Sequence, residues 1–457
     1  MPYFGGSIFL TLHLSLMNAN KLFYWSITVA MAGFLFGFDT VVISGADQSL
    51  QELWNKGDIF HGFVIISSAL WGTVIGAIFG GIPTEKLGRK QTLILIGIFF
   101  LVSALGSALA TDPWVFAAFR LLGGLGVGAS TVAAPTYIAE IAPAKKRGKL
   151  VALYQFNIVF GIMVAYLSNF LLSGVEHEAW RWMIGIEAVP ALIYSLLVFG
   201  VPKSPRWLIS HKNDEVAAAE ILRVTLTEEE TTAQIKAIKE DMVSSSKSES
   251  IYASKYRFPL ILAFLMAFFN QFSGINAFLY FAPRIFELAG LGEESALLSS
   301  VGIGVVNIIF TYLGLSLIDK AGRRQLMYWG SFGYIISLSL VAIAFMQGWQ
   351  GLSIPIFFFL FIAAHGIGQG TVIWVFIAEI FPNHLRADGQ AFGSSVHWIL
   401  AAAIPSMIPF LFGSIGASAV FFIFTFMMIL QLLFVWKMMP ETKGISLEEL
   451  QKKLVKK

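Results

Sequence analysis

The chain has 457 residues, 56% of them hydrophobic and only 13% charged, about half the charged share of a soluble domain. With a mean hydropathy of +0.73 and no alternating strand pattern of the barrel type, it reads as a polytopic helical membrane protein. The formal charge of +3 is small, so where the charges lie matters more than their sum, and the absence of cysteine excludes disulfides and thiolate metal sites.

Residues 1–22 form an N-terminal extension. Ile8 to Leu16 is mostly apolar but too short to span a bilayer, and it lacks the basic flank and cleavage site of a signal peptide. Met17 would make a more natural start, so residues 1–16 are expected to be disordered or to come from an upstream start codon. Twelve apolar segments follow, at 23–45, 60–82, 92–110, 114–137, 150–172, 181–201, 259–282, 296–318, 325–346, 353–380, 390–412 and 417–438.

The connections alternate in charge. One set carries Lys86, Arg89 and Lys90; Lys145, Lys146, Arg147 and Lys149; Lys320, Arg323 and Arg324; and Arg386. The other carries Asp47, Glu52 and Asp58; Asp112; Glu176 and Glu178; and Glu287, Glu293 and Glu294. Basic loops stay on the cytoplasmic side, which predicts both termini there.

The long polar stretch from Pro202 to Arg257 is then cytoplasmic too, with short surface helices expected at Asp214–Leu222 and Thr227–Met242 before a Ser/Lys-rich linker. It divides the chain into a six-helix bundle at 23–201, a linker at 202–257, a second six-helix bundle at 258–439 and a tail at 440–457. The halves echo each other. Tyr137-Ile-Ala-Glu140-Ile-Ala-Pro143 with Arg147 returns as Phe376-Ile-Ala-Glu379-Ile-Phe-Pro382 with Arg386. Likewise Glu85-Lys-Leu-Gly-Arg-Lys90 returns as Asp319-Lys-Ala-Gly-Arg-Arg324. Two like-oriented halves with a site between them is the parallel-repeat plan of a secondary transporter. Neither a phosphate-binding loop nor the large soluble domain of a phosphorylated pump is present.

Span seven contains Asn270, Gln271 and Asn276 around Ser273-Gly274. Three side-chain amides in one span have donors and acceptors that lipid cannot satisfy, so they face other helices or a wet cavity. At roughly 100° per residue Asn276 lies well round the cylinder from the other two. A helix loosened at Gly274 would bring them together, as broken helices do in transporter substrate sites. Amide glue between packed helices is the alternative; three amides around a glycine favour a site for a hydroxyl-rich solute. Trp374 can offer a flat face to a sugar ring, while Gln155, Asn307 and His397 are further polar groups amid apolar helix. His365 has no evident partner.

Intramembrane charge is costly and marks function. Asp39, Arg120 and Glu187 fall inside spans one, four and six. A static ion pair joining two helices is one reading; coupling proton uptake to helix movement is the other, and the favoured one. Glu140 with Arg147, and Glu379 with Arg386, lie beside the basic loops with Arg89 and Arg323, where ion pairs can latch one conformation of a gate. The glycines at 72, 76, 80, 124 and 128 read as close-packing notches between helices.

Taken together, Gly37-Phe-Asp39-Thr-Val-Val-Ile-Ser-Gly45, Arg120 with its glycines, Pro135-Thr-Tyr-Ile-Ala-Glu140, Pro202-Lys-Ser-Pro-Arg-Trp207, Gln271-Phe-Ser-Gly-Ile-Asn276, the Asp319 loop and Pro440-Glu-Thr-Lys-Gly444 resemble the sugar porter family of the major facilitator superfamily. The resemblance implies an all-α fold of twelve transmembrane helices in two pseudo-symmetric six-helix bundles. It implies sugar contacts at Gln155, Gln271, Asn276, Asn307 and Trp374, and proton coupling through Asp39 and Arg120. Family members that only facilitate diffusion are neutral at the place of Asp39 and usually at that of Glu187, so keeping both acids implies a symporter. The chain departs from the family at Asn270 and His397, where longer or neutral amides are usual, at Phe281, at Thr84 and Glu85, and in lacking prolines before Trp374.

The expected function is proton-coupled import of a monosaccharide by alternating access. A sugar uniporter of the same fold is the nearest alternative, and a non-transporting sugar receptor a remoter one. The expected partners are a monosaccharide, a proton and the bilayer of a cell membrane. No nucleic acid, cofactor or metal is expected, and the chain is expected to act as a monomer.

Overall fold

The computed structural model describes residues 4–244, 249–445, 449–450 and 454, with side chains from residue 20 onward except at 144, 145, 241, 243, 244 and 383. The expectation of disorder at residues 1–16 falls on residues whose side chains lie outside those described. Among the described residues no strand occurs, and eleven helices are long and apolar enough to cross a membrane, with a twelfth bent in its middle.

The first six spans are α1 (Phe4–Val42), α2 (the bent pair Asp58–Ile66 and Ser68–Phe79), α3 (Arg89–Leu109), α4 (Pro113–Ile141), α5 (Ala144–Leu172) and α6 (Ala179–Val198). The last six are α7 (Arg257–Phe272 and Ile275–Leu288), α8 (Glu293–Ala321), α9 (Arg323–Gln347), α10 (Ser353–Ile367 and Gln369–Ile380), α11 (Arg386–Ile415) and α12 (Ala417–Lys437). Each predicted apolar segment lies mostly on one of them; α1, α2 and α6 end three residues before their segments do. Helices α5, α8 and α11 begin before theirs with polar or charged turns that continue the backbone hydrogen bonding into the polar layer. Asp112 starts α4 by accepting from the amides of Trp114 and Val115, with Pro113 in the first turn.

Between α6 and α7 three short helices lie at Pro205–Lys212, Glu215–Leu222 and Glu228–Ser244. The second and third match expectation. The first, unpredicted, is capped by the Ser204 hydroxyl, which accepts from Trp207 N at 3.2 Å. Glu249 ties the end of this linker to α7: it pairs with Lys255 at 2.5 Å and accepts from the Tyr256 hydroxyl at 2.8 Å. These two neighbours hold its carboxyl down to about 2. A carboxyl with a depressed folded pKa contributes its stability above its unfolded pKa and loses it as pH falls through the folded value. The tie therefore persists in the mildly acid media used to impose a proton gradient.

Helices pack by letting backbones approach where glycine leaves room. A Cβ on Gly124 of α4 would sit 1.9 Å from the Ala69 carbonyl of α2, and one on Gly37 of α1 would sit 1.9 Å from the Ile158 carbonyl of α5. The neighbours are backbone and cannot rotate aside, so the notch reading holds at these positions. Gly124→Ala is expected to lower the thermal midpoint in detergent and the yield of folded protein, while Ala on the exposed, unobstructed Gly81 leaves both unchanged.

Candidate functional site

Helix α7 breaks where the sequence predicts. Gly274 has φ +85°, a left-handed conformation in which a side chain is strained, and a Cβ there would meet the Phe424 ring at 2.8 Å. The Ser273 hydroxyl donates to Asn270 O at 2.6 Å and accepts from Ile275 N at 3.3 Å, so it bridges the break. The second segment then starts with Asn276 turned back towards the first. Asn276 Nδ2 donates to Gln271 Oε1 at 2.8 Å, and Gln271 Nε2 donates to Asn270 Oδ1 at 2.9 Å. Gln271 Nε2 also lies 3.1 Å from His397 Nδ1 of α11. The His397 ring is 5.0 Å from that of Trp374. The three amides, His397 and Trp374 thus form one continuous polar and aromatic surface.

Trp374 in turn lines a cavity of about 790 Å³ that runs past Val375, Ala378, Glu379 and Arg386 to Lys443. Trp374 is the site residue that this cavity reaches; the α7 amides lie behind it, with Asn270 and Gln271 buried. Gln155 of α5 is half-buried, and Asn307 of α8 is buried with its Oδ1 accepting from Thr311 at 3.2 Å. The structure gives neither a direct bond to the α7 amides. His365, without a partner in sequence, bonds to the Tyr334 hydroxyl at 2.6 Å.

Asp39, Arg120 and Glu187 are all fully buried and come together from α1, α4 and α6. Arg120 Nη1 donates to Asp39 Oδ1, and its Nη2 donates to the Asp39 carbonyl at 3.0 Å. Glu187 is buried in α6, and neither of its carboxyl oxygens has a hydrogen-bond partner among the described residues.

At the basic end the internal repeat appears as two matching clamps. Arg89 donates to Glu140 from Nη2 at 2.9 Å and to the Thr84 carbonyl at 3.3 Å, while Ser204 Oγ donates to the other Glu140 oxygen at 2.5 Å. Arg323 does the same with Glu379 at 2.8 Å and the Ile318 carbonyl at 3.1 Å, and Thr442 Oγ1 donates to Glu379 at 2.6 Å. The expected partner of Glu140 was Arg147, seven residues further along the sequence echo. Arg147 instead stands exposed. Pro143 separates the two helices and turns α5 away, whereas Arg89 starts α3 at the level of Glu140. Glu379 engages Arg323, and Arg386 lines the cavity beside it.

The acidic end is shut, by residues that sequence reasoning missed. Asp47, in a short helix after α1, pairs through Oδ1 with His61 Nε2 of α2 and through Oδ2 with Arg284 Nε of α7, both at 2.6 Å. Arg284 also donates to Gln51 Oε1 at 2.5 Å, and Gln48 donates to Glu287 at 2.8 Å. The signal was present: Arg284 is the cation of the connection that also carries Glu287, Glu293 and Glu294.

The sugar (and other) transporter family model matches residues 25–454. The glucose transporter GlcP of Staphylococcus epidermidis is 37% identical, covering 96% of this chain and 98% of that protein. The arabinose-proton symporter of Bacillus subtilis is 35% identical, covering 94% of each. An inward-open structure of the xylose transporter XylE from E. coli superposes with a TM-score of 0.84 at 30% identity, covering 95% of this chain and all of that one. With its fold and amide site, the chain belongs to the sugar transporter family: it is a multi-pass membrane protein of the major facilitator fold that carries sugar and is not an enzyme.

Proposed function

We propose that the protein imports a monosaccharide together with a proton, and that the structure is its inward-open state. The observation that carries the reading is the pairing of two buried features: the α7 amides, joined through His397 to the Trp374 that lines the cavity, and the Asp39–Arg120–Glu187 group of α1, α4 and α6. Basic loops mark the cytoplasmic side, so the cavity opens inward and the Asp47–Arg284 end closes the outside. Two of the similar proteins are named for glucose and arabinose transport, the second with a proton. That supports a monosaccharide cargo and the coupling ion.

In this reading Gln155, Asn270, Gln271, Asn276, Asn307 and His397 bond the sugar hydroxyls, and Trp374 lies against the ring. Glu140, Arg89, Glu379, Arg323, Arg147 and Arg386 shape the inner gate. Uptake into vesicles with an imposed inward-acid gradient, scanned over a panel of hexoses and pentoses, tests it. Accumulation above equilibrium supports symport; equilibration alone, insensitive to the gradient, supports the uniporter.

The site itself is tested by Gln271→Ala. Leaving a buried hydroxyl unpaired costs about 1–3 kcal/mol, which weakens sugar affinity roughly 5- to 150-fold. Wild-type affinity in folded Gln271→Ala protein removes this residue from the site.

A further inference from the structure

The α7 amides do not end among themselves. Asn270 Nδ2 reaches Gln369 Oε1 of α10 at 3.4 Å. Gln369 Nε2 donates to Gln431 Oε1 of α12 at 2.7 Å, and Gln431 Nε2 donates to the Ser331 hydroxyl of α9 at 2.8 Å. Ser331 Oγ donates in turn to the Met327 carbonyl at 2.7 Å. Gln369, Gln431 and Ser331 are each fully buried, and none of them lines the cavity that reaches Trp374.

Every bond in this series runs the same way. A backbone carbonyl can only accept, so Ser331 must donate to Met327, which leaves its oxygen as the acceptor for Gln431. Gln431 must then present its nitrogen to Ser331 and its oxygen to Gln369. The same constraint passes to Asn270, Gln271 and finally Asn276, whose Oδ1 stays outside the ladder at the half-buried end. An amide turned over anywhere would set two N–H groups or two oxygens against each other in a buried place, at a cost of about 1–3 kcal/mol.

We propose that Gln369, Gln431 and Ser331 are positioning residues for sugar selectivity, building on the sugar-site reading above. They touch no substrate. By fixing which way round each α7 amide stands, they set which sugar hydroxyls must donate and which must accept. Apolar residues would fill the same space without polar cost, so a packing role alone gives no reason for an unbroken polarity from α9 to α7.

The test compares wild type, Gln431→Leu, Ser331→Ala and the conservative Ser331→Thr in vesicles. Each is challenged with the best transported monosaccharide and its set of mono-deoxy analogues as competitors. In wild type, deleting a hydroxyl that an amide reads weakens competition about tenfold. In Gln431→Leu and Ser331→Ala that penalty is expected to shrink severalfold at one or two hydroxyls and persist at the others, with maximal rate within about twofold of wild type. Ser331→Thr keeps the wild-type order. Ser331→Ala removes one oxygen atom and carries the test if Gln431→Leu does not fold. A uniform loss against all analogues, or an unchanged order, overturns the ladder's role. A wild-type protein that binds no monosaccharide overturns the sugar-site reading itself, and this proposal with it.

Discussion

Asp39→Asn is expected to abolish accumulation of sugar against its gradient while sparing sugar binding and exchange. The substitution keeps the shape of Asp39 but holds it permanently neutral, as if protonated. Arg120 then loses its charged partner and is left with Glu187, the other buried carboxyl beside it. No proton can be picked up on one side and released on the other, so the cycle loses its driving ion. The sugar amides stand on α7 and keep their geometry, which is why counterflow should survive. The measurement is uptake in vesicles under an inward-acid gradient, with wild type beside Asp39→Asn, and pH recording of the medium. Equal accumulation by both proteins makes Asp39 a structural residue only. Arg120→Ala is a poorer probe, because it strands a buried carboxylate and threatens the fold.

Arg284→Gln is expected to swing the protein towards its outward-open state. Asp47 is fully buried and the Arg284 side chain is 16% exposed, so their ion pair is shielded from solvent and bridges the two halves at the outer end. It exists only while that end is closed. Removing it weakens the closed state relative to the open one by about 1–3 kcal/mol, or a shift of roughly 5- to 150-fold in their ratio. The chain has no cysteine of its own, so a single cysteine at Leu279 reports cleanly. Its backbone carbonyl accepts from Tyr166 across the same closed interface at 2.7 Å. A membrane-impermeant thiol reagent added outside should label Leu279→Cys much faster in the Arg284→Gln background. Asp47→Asn alone should do likewise, and the double substitution should add little, because both remove one pair. Unchanged labelling would mean that packing, not charge, seals the outer end.

The spans were readable because each is a long apolar run, and the helix break because amides and a glycine share one short stretch. The charge group was readable for a similar reason: Asp39, Arg120 and Glu187 are costly where they stand, and few partners were available. The outer seal was harder. Asp47 looked like one more loop acid, and only the fold places it against Arg284, more than two hundred residues away. The ladder was beyond reach altogether. Gln369 and Gln431 are single amides in separate apolar helices, each unremarkable alone, and their partnership depends on how α10 and α12 cross. Sequence echoes also misled at the inner end, where Glu140 and Arg147 share a motif but a proline turns one away from the other.

The two inner clamps have a mechanical consequence. Each takes its hydroxyl from outside the spans, Ser204 from the start of the linker and Thr442 from the tail, and each binds its own half. Bending within a half would stretch a charged clasp; tilting one half against the other leaves both intact. Stiffness is thus gathered inside the halves and compliance left at the seam between them. The softest motion of the protein should then be a single rocking mode, slow and collective, on the order of microseconds to milliseconds, rather than a scatter of small local openings.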